Sequence, residues 1–299
     1  MEAAALTESF EAHRRLLWSL SYRMTGCAAD AEDVVQETYL RALERPPKDD
    51  TAPLKPWLVA VAVNLAKDLL RRRRTRAYPG IWLPGPAALE PEALAVEPPQ
   101  TGFDLLESGS YAFLVALEKL TPQQRAVFLL REVFDHSVAE TAAALRLSEA
   151  NVKVILHRAR KALVRPTYPS KAQRELTQRA LMAFQEALAT QDLAALEALF
   201  APEVRACGDG GGAYATGKAP IVGAAAVARF FLGLTKAGSS PTFELRLLNG
   251  LPAQVGMWEP LSPQMAPRWT LHLEVDAAGR ILWLRAVSAP RKLTALAWG

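Results

Sequence analysis

The sequence predicts a multidomain chain in which two all-α domains precede one α+β domain. Three observations predict it. Helix-start signals follow one another from Thr121 to Ser148, and an apolar stripe at helical spacing fills residues 56–74. From Trp269 onward the period changes to strict alternation, the mark of strands. A proline-rich acidic stretch, residues 79–108, separates the first two helical segments.

The elements follow in order. Asp30 is placed to cap a helix whose polar face carries Asp33, Gln36 and Glu37. That face is acidic, so it points to a protein partner with a basic surface rather than to DNA, although a solvated face has the same pattern. From Pro56, Leu58, Ala62, Leu65 and Leu69 step by four, three and four, which predicts one buried stripe. Ala60, Asn64, Lys67, Arg71 and Arg74 step the same way on another face. An amide among cations can read a base edge and hold phosphates, and Trp57 can stack on an unpaired base. The arginine run Arg71 to Arg74 by itself would equally serve to end a helix against its dipole.

Thr121-Pro122-Gln123-Gln124 is a capping box with proline at the first helical position, and Ser137-Val138-Ala139-Glu140 is a second box. After the Leu145-Arg146-Leu147 turn, Ser148 caps a third helix. Val152, Ile155, Leu156, Ala159 and Leu163 form its dry face, and Asn151, Lys153, His157, Arg158, Arg160 and Lys161 lie largely away from it. Two capped helices, a tight turn and a cationic helix suit a helix-turn-helix entering a major groove.

Charge by segment says more than the total. The net charge is only +4, yet residues 1–50 carry 6 basic and 10 acidic groups, and 51–78 carry 7 and 1. Residues 79–120 then carry 1 and 6, and 121–167 carry 8 and 4. Two basic blocks with an acidic spacer imply two nucleic-acid contacts. Cys27 and Cys207 stand alone, and His13, His136, His157 and His272 are scattered, so no disulfide framework, zinc site or other cofactor is expected. The longest apolar run, Trp57 to Val63, falls far short of the ~20 residues of a membrane span. With no signal peptide in view, a cytoplasmic location is expected.

Four segments carry a resemblance: Asp30-Ala-Glu-Asp-Val-Val-Gln-Glu-Thr-Tyr-Leu-Arg41, Trp57-Leu-Val-Ala-Val-Ala-Val-Asn-Leu-Ala-Lys67, Leu120-Thr-Pro-Gln-Gln-Arg-Ala-Val127 and Val152-Lys-Val-Ile-Leu-His-Arg-Ala-Arg160. In that order they resemble extracytoplasmic-function (ECF) sigma factors of bacterial RNA polymerase. The resemblance implies a region-2 domain over residues 8–78, the linker 79–108, and a region-4 helix-turn-helix domain over 109–166. It implies core polymerase and promoter DNA as partners, with Asp33, Gln36 and Glu37 docking on polymerase. Trp57, Asn64, Lys67, Arg71 and Arg74 would serve the −10 element; Asn151, Lys153, Val154, His157 and Arg158 would serve the −35 element.

The last third is of another kind. Leu181, Phe184 and Leu188 mark one helix, Leu193, Leu196 and Phe200 a second, and Val222 to Lys236 a third. Trp269, Leu271, Leu273 and Val275 then alternate with Thr270, His272, Glu274 and Asp276, and a Gly279 turn leads to Ile281–Val287. Three helices before a curved sheet resemble the SnoaL-like, or NTF2-like, cone over residues 172–288, with a tail at 289–299. In the subgroup of ECF sigma factors with such a cone, a Trp-Leu-Pro motif ends Glu-Pro. Here Gly85 takes the place of the acid, Asp209-Gly-Gly-Gly212 keeps the glycine motif with Ala213 in place of lysine, and Ala289-Pro-Arg-Lys-Leu293 keeps three tail positions. The apolar Ile81-Trp82-Leu83 knot is expected to dock. Trp82, Leu83, Pro84, Asp209, Gly210 and Lys292 are the expected regulatory contacts between the cone and the sigma domains. Asp209 and His272 offer an acid-base pair, but a glycine turn and a lone strand histidine are more simply structural, and no catalytic residue is expected. The rival readings are a helix-turn-helix regulator that works without polymerase, and a SnoaL-like enzyme fused to a DNA-binding module.

Overall fold

A computed structural model describes residues 3–47, 53–75, 78–88, 108–163, 169–236 and 241–298. The acidic part of the linker, with Glu90, Glu92 and Glu97, lies outside the described residues. The chain divides into two compact units: one holds the helices up to residue 163, and the other holds residues 78–88 with everything from residue 169 onward. The start of the linker therefore belongs with the C-terminal domain rather than standing as an independent spacer.

In the first unit, α1 (Ala3–Thr25), α2 (Ala28–Glu44) and α3 (Leu54–Thr75) pack together. Cys27, not Asp30, is the N-cap of α2; Asp30 sits inside its first turn, where a negative charge complements the helix dipole. In α3 the buried line runs through Leu58, Val59, Ala62, Val63, Ala66 and Leu70, while Leu65 and Leu69 are only half-buried. The dry face is rotated from the sequence expectation because α3 is covered from two sides, by α1 and α2 and by later helices.

Those later helices are α4 (Tyr111–Leu117), α5 (Pro122–Glu132), α6 (Val138–Leu145) and α7 (Glu149–Ala162). Ser110 caps α4, accepting from the Phe113 N–H. Both capping boxes form: the Gln124 N–H donates to Thr121 Oγ1 at 3.2 Å, and the Thr121 N–H returns to Gln124 Oε1 at 2.9 Å. At α6 the Glu140 N–H donates to Ser137 Oγ at 3.1 Å and Ser137 N–H to Glu140 Oε2 at 2.6 Å. These bonds from Ser137 hold the Glu140 carboxyl below its ordinary pKa. Arg146 closes α6 with φ of 54°, the left-handed turn that swings the chain into α7.

The second unit joins α8 (Lys171–Ala189), α9 (Leu193–Ala198) and α10 (Ala224–Lys236) to a six-stranded sheet. Its strands are β1 (Phe200–Asp209), β2 (Ile221–Val222), β3 (Thr242–Leu248), β4 (Leu251–Met257), β5 (Arg268–Val275) and β6 (Ile281–Val287), in the spatial order β2-β1-β6-β5-β4-β3. The expected cone is present, with a correction: β1 precedes the third helix and pairs parallel to β6, so the sheet is mixed. Phe200 opens this strand instead of ending a helix, and Ile221 and Val222 are strand rather than helix start. One face of the sheet packs Leu271, Leu273 and Val275 against Phe184 and Leu188 of α8. The other packs Ala253, Val255 and Val287 against Leu83, Leu293 and Leu296.

Candidate nucleic-acid interface

Helix α7 is positioned by its cap and its dry face. The Asn151 N–H donates to Ser148 Oγ at 3.2 Å, and Val152, Leu156 and Ala159 are buried against the helices behind. Asn151, Lys153, Val154, His157 and Arg158 are all exposed on the opposite side, a polar and cationic surface with Val154 as an apolar member. Arg160, on the flank, is tied to Glu132 of α5 at 2.6 Å and helps fix the helix in place.

The basic face of α3 has a different environment. The Asn64 side-chain N–H donates to the carbonyl of Ala60 at 2.7 Å and to that of Ala144, in α6, at 3.0 Å. Lys67 is 5% exposed and donates to Asn64 Oδ1 at 2.9 Å. Burial, then neighbouring Arg71, lowers its pKa. Arg74 donates to the Leu120 carbonyl at 2.6 Å, and Trp57 is half-buried in a cleft shared with Phe134, His136 and Ala144. Of the five residues on that face Arg71 and Arg74 are exposed, Arg71 paired at 3.2 Å with Asp68 and Arg74 tied down by its bond to Leu120. The face expected to read single-stranded DNA is therefore folded against the helix-turn-helix half.

An arginine clasp makes that closure specific. Helix α1 ends with carbonyls that have no partner within the helix. Arg73 of α3 donates to the Thr25 carbonyl at 2.9 Å, and Arg125 of α5 donates to that of Met24 at 2.8 Å. Glu118 lies between the two guanidiniums, 3.2 Å from Arg73 and 3.0 Å from Arg125. Arg23, fully buried and pushed down to about 10 by desolvation, donates to Ser108 Oγ at 2.8 Å. Sequence reading missed this group. Arg125 lies inside one of the segments that carry the resemblance, but only the fold shows that it faces the end of α1.

On α2, Asp33 and Gln36 are exposed and Glu37 pairs with Arg41 at 2.9 Å one turn on. The acidic surface is therefore partly neutralised by its own helix.

The six expected regulatory residues come together within the second unit. Residues 78–88 form a strap across the sheet face opposite the helices, with Leu83 buried in that core. Asp209, at the end of β1, is 1% exposed and accepts from Tyr78 Oη at 2.5 Å, Leu83 N–H at 2.8 Å and Gly211 N–H at 3.0 Å. It also forms a buried ion pair with Lys292. Lys292 Nζ donates to the Leu83 carbonyl at 2.5 Å and stands 3.0 Å from the centre of the Trp82 ring. Gly85 suits this packing: a Cβ there would lie 3.0 Å from the Lys292 carbonyl, so a side chain fits only if the tail gives way by a few tenths of an ångström. Gly210 is more tightly constrained, since a Cβ would lie 2.4 Å from the Tyr214 carbonyl. Farther along, Ala87 and Asn249 exchange two bonds of 2.9 Å, which pins the strap's other end. Tyr78 was absent from the expected set; its place just before the Trp-Leu-Pro motif was the available signal.

His272 does not join Asp209 in a pair. It projects from the strand face opposite Leu271, and burial, with a smaller contribution from Arg285, holds its pKa down to about 3. Among the described residues no group of three His, Cys, Asp or Glu side chains could hold a metal ion, and no helix is long and apolar enough to cross a membrane.

Residues 9–76 match the Sigma-70 region 2 family and residues 110–163 the Sigma-70, region 4 family. The chain is 35% identical to the ECF RNA polymerase sigma factor SigJ of Mycobacterium tuberculosis, over 95% of this chain and 92% of SigJ. This chain belongs to the ECF sigma factors. Another sigma factor of the same organism, SigG, is 39% identical over 52% of this chain and 48% of its own length. The crystal structure of M. tuberculosis SigJ superimposes with a TM-score of 0.70 at 31% identity, covering 97% of this ECF sigma factor and 98% of SigJ. The match spans the cone as well as the sigma regions.

Proposed function

We propose that this ECF sigma factor acts in the cytoplasm, binding core RNA polymerase through α2 and placing α7 in the −35 element and α3 on the separated strands of the −10 element. The observation that carries the reading is the α7 surface: five contiguous exposed residues, Asn151, Lys153, Val154, His157 and Arg158, on a capped helix at the end of a helix-turn-helix. Arg158 holds phosphate; Asn151, Lys153 and His157 supply donors to base edges. Asp33, Gln36 and Glu37 meet the polymerase, and the Glu37–Arg41 pair exchanges partners on docking. Trp57, Asn64, Lys67, Arg71 and Arg74 act only after the two sigma halves separate, since four of them are engaged within the closed unit.

The cone regulates in cis and is not an enzyme. Its grip on Trp82, Leu83 and Pro84 supports this, because those residues belong to the linker that joins region 2 to region 4. Holding the linker's first segment limits how far apart the halves can move. Both carboxylate oxygens of Asp209 are engaged, by Tyr78, Leu83, Gly211 and Lys292.

Run-off transcription by core polymerase from genomic fragments, with the full chain beside its Asp209→Asn variant, tests both statements. Discrete new transcripts from the full chain are expected, and an altered yield from the variant. DNA binding without any transcript would favour the regulator that works without polymerase, and equal yields would remove the strap from regulation.

A further inference from the structure

The cone contains a cavity, open to solvent on one side, for which regulation through the strap has no use. Its volume is about 470 Å³, within the range of sites that take drug-sized molecules. It lies on the helix side of the sheet, between Phe184 of α8, Phe231 of α10 and Trp269 and Leu271 of β5. Among the described residues none on its lining is Asp, Glu, Lys, Arg or His. An ion seated deep in it would find no counter-charge on this wall, so the wall favours an uncharged occupant.

The polar demand of the wall is specific. Trp258 satisfies its indole N–H on the Ala266 carbonyl at 2.5 Å. The neighbouring indole of Trp269, 5.9 Å away between ring centres, has a covered N–H with no hydrogen-bond partner among the described residues. Gln185, also on the wall, donates to Gln254 Oε1 at 2.7 Å, and the Gln254 side-chain N–H is covered and has no acceptor among the described residues. Gln254 lies opposite Leu271 in the β4–β5 ladder, and Gly256 opposite Trp269, so both donors project to the cavity's side of the sheet. Buried donors normally find acceptors. Here the apolar hollow beside them leaves space for one to be brought in.

We infer that the cone binds an uncharged, predominantly apolar small molecule that carries a carbonyl or ether oxygen, seated among Phe184, Phe231 and Leu271 and hydrogen-bonded by Trp269. The inference needs only the cone, and goes beyond the sigma activity without depending on it.

Two neutral dyes test it on the full chain: Nile red, which carries acceptor oxygens, and the hydrocarbon diphenylhexatriene, which has none. Both are expected to brighten and saturate at one equivalent. Ala219→Trp, at an exposed lining position, is expected to abolish both signals while circular dichroism stays unchanged. Trp269→Phe keeps a ring and removes the donor; it is expected to weaken Nile red about fivefold, the loss of one hydrogen bond, and to leave diphenylhexatriene within about twofold. The inference is overturned if neither dye saturates with the wild-type chain. It is overturned equally if Ala219→Trp leaves both signals intact, or if Trp269→Phe weakens both dyes alike.

Discussion

Glu118→Gln is the change that isolates the clasp in the sigma unit. Glutamine keeps the shape and one acceptor oxygen but removes the charge that separates two guanidiniums with side chains 13% and 2% exposed. The pair to Arg125 lies within the region-4 half and survives opening. The pair to Arg73 joins the two halves and does not. A charge-assisted bond reduced to a neutral one costs ~1 kcal/mol, and leaving Arg73 and Arg125 unscreened in the closed form adds a similar amount. Burial already lowers the Arg73 pKa, with Glu118 opposing that fall and Arg125 adding to it. The closed form should therefore lose about 2 kcal/mol against the open one, a factor of roughly 30. Apparent affinity for a ligand of a rarely populated form rises in proportion to that population. Fluorescence anisotropy with a single-stranded −10 oligonucleotide should thus show tighter binding by roughly 30-fold, while affinity for a −35 duplex is unchanged. Equal single-strand affinities of wild type and variant, with both chains folded, would refute the view that this clasp holds the reading face shut.

Three other outcomes follow from the same structure. Asp209→Asn or Lys292→Met alone should cost the cone about 3 kcal/mol in urea unfolding, because each strands a buried partner, and the double variant should cost clearly less than the sum. The His272 pKa, depressed to about 3 from an ordinary 6.5, means the fold excludes the proton that the unfolded chain accepts. Its stability contribution is complete above about pH 6.5 and is lost as pH falls from there toward 3, so the cone should be about 2 kcal/mol weaker at pH 5. His272→Gln should flatten that slope in thermal melts. Arg158→Ala should reduce the salt dependence of duplex binding by about one phosphate contact, whereas Asn151→Ala should relax base preference with the salt slope unchanged.

How much of this could be read in the sequence depended on the range of each interaction. The caps at Thr121, Ser137 and Ser148 were legible because a capping box is written within four residues and closed by local bonds. The outward face of α7 was legible for a related reason: a single apolar side defines the opposite one. Helix α3 defeated that logic, since Lys67 and Asn64 look solvent-facing until α6, 80 residues later, covers them. Strand β1 was missed because its partner β6 is parallel and remote, and the irregular register between Phe200 and Arg205 breaks the alternation that reveals β5. The strap was visible as an apolar knot that had to dock. Its partner was visible only as motifs separated by more than a hundred residues.

That separation has a kinetic meaning. The bond from Lys292 to the Leu83 carbonyl spans 209 residues, and the one from Leu83 to Asp209 spans 126. Contacts so distant in sequence close large loops and form after local helices have assembled. If the strap restrains the sigma halves as proposed, a newly made chain should pass through a period in which both halves are folded and the strap is still loose, visiting the unrestrained form before restraint is established.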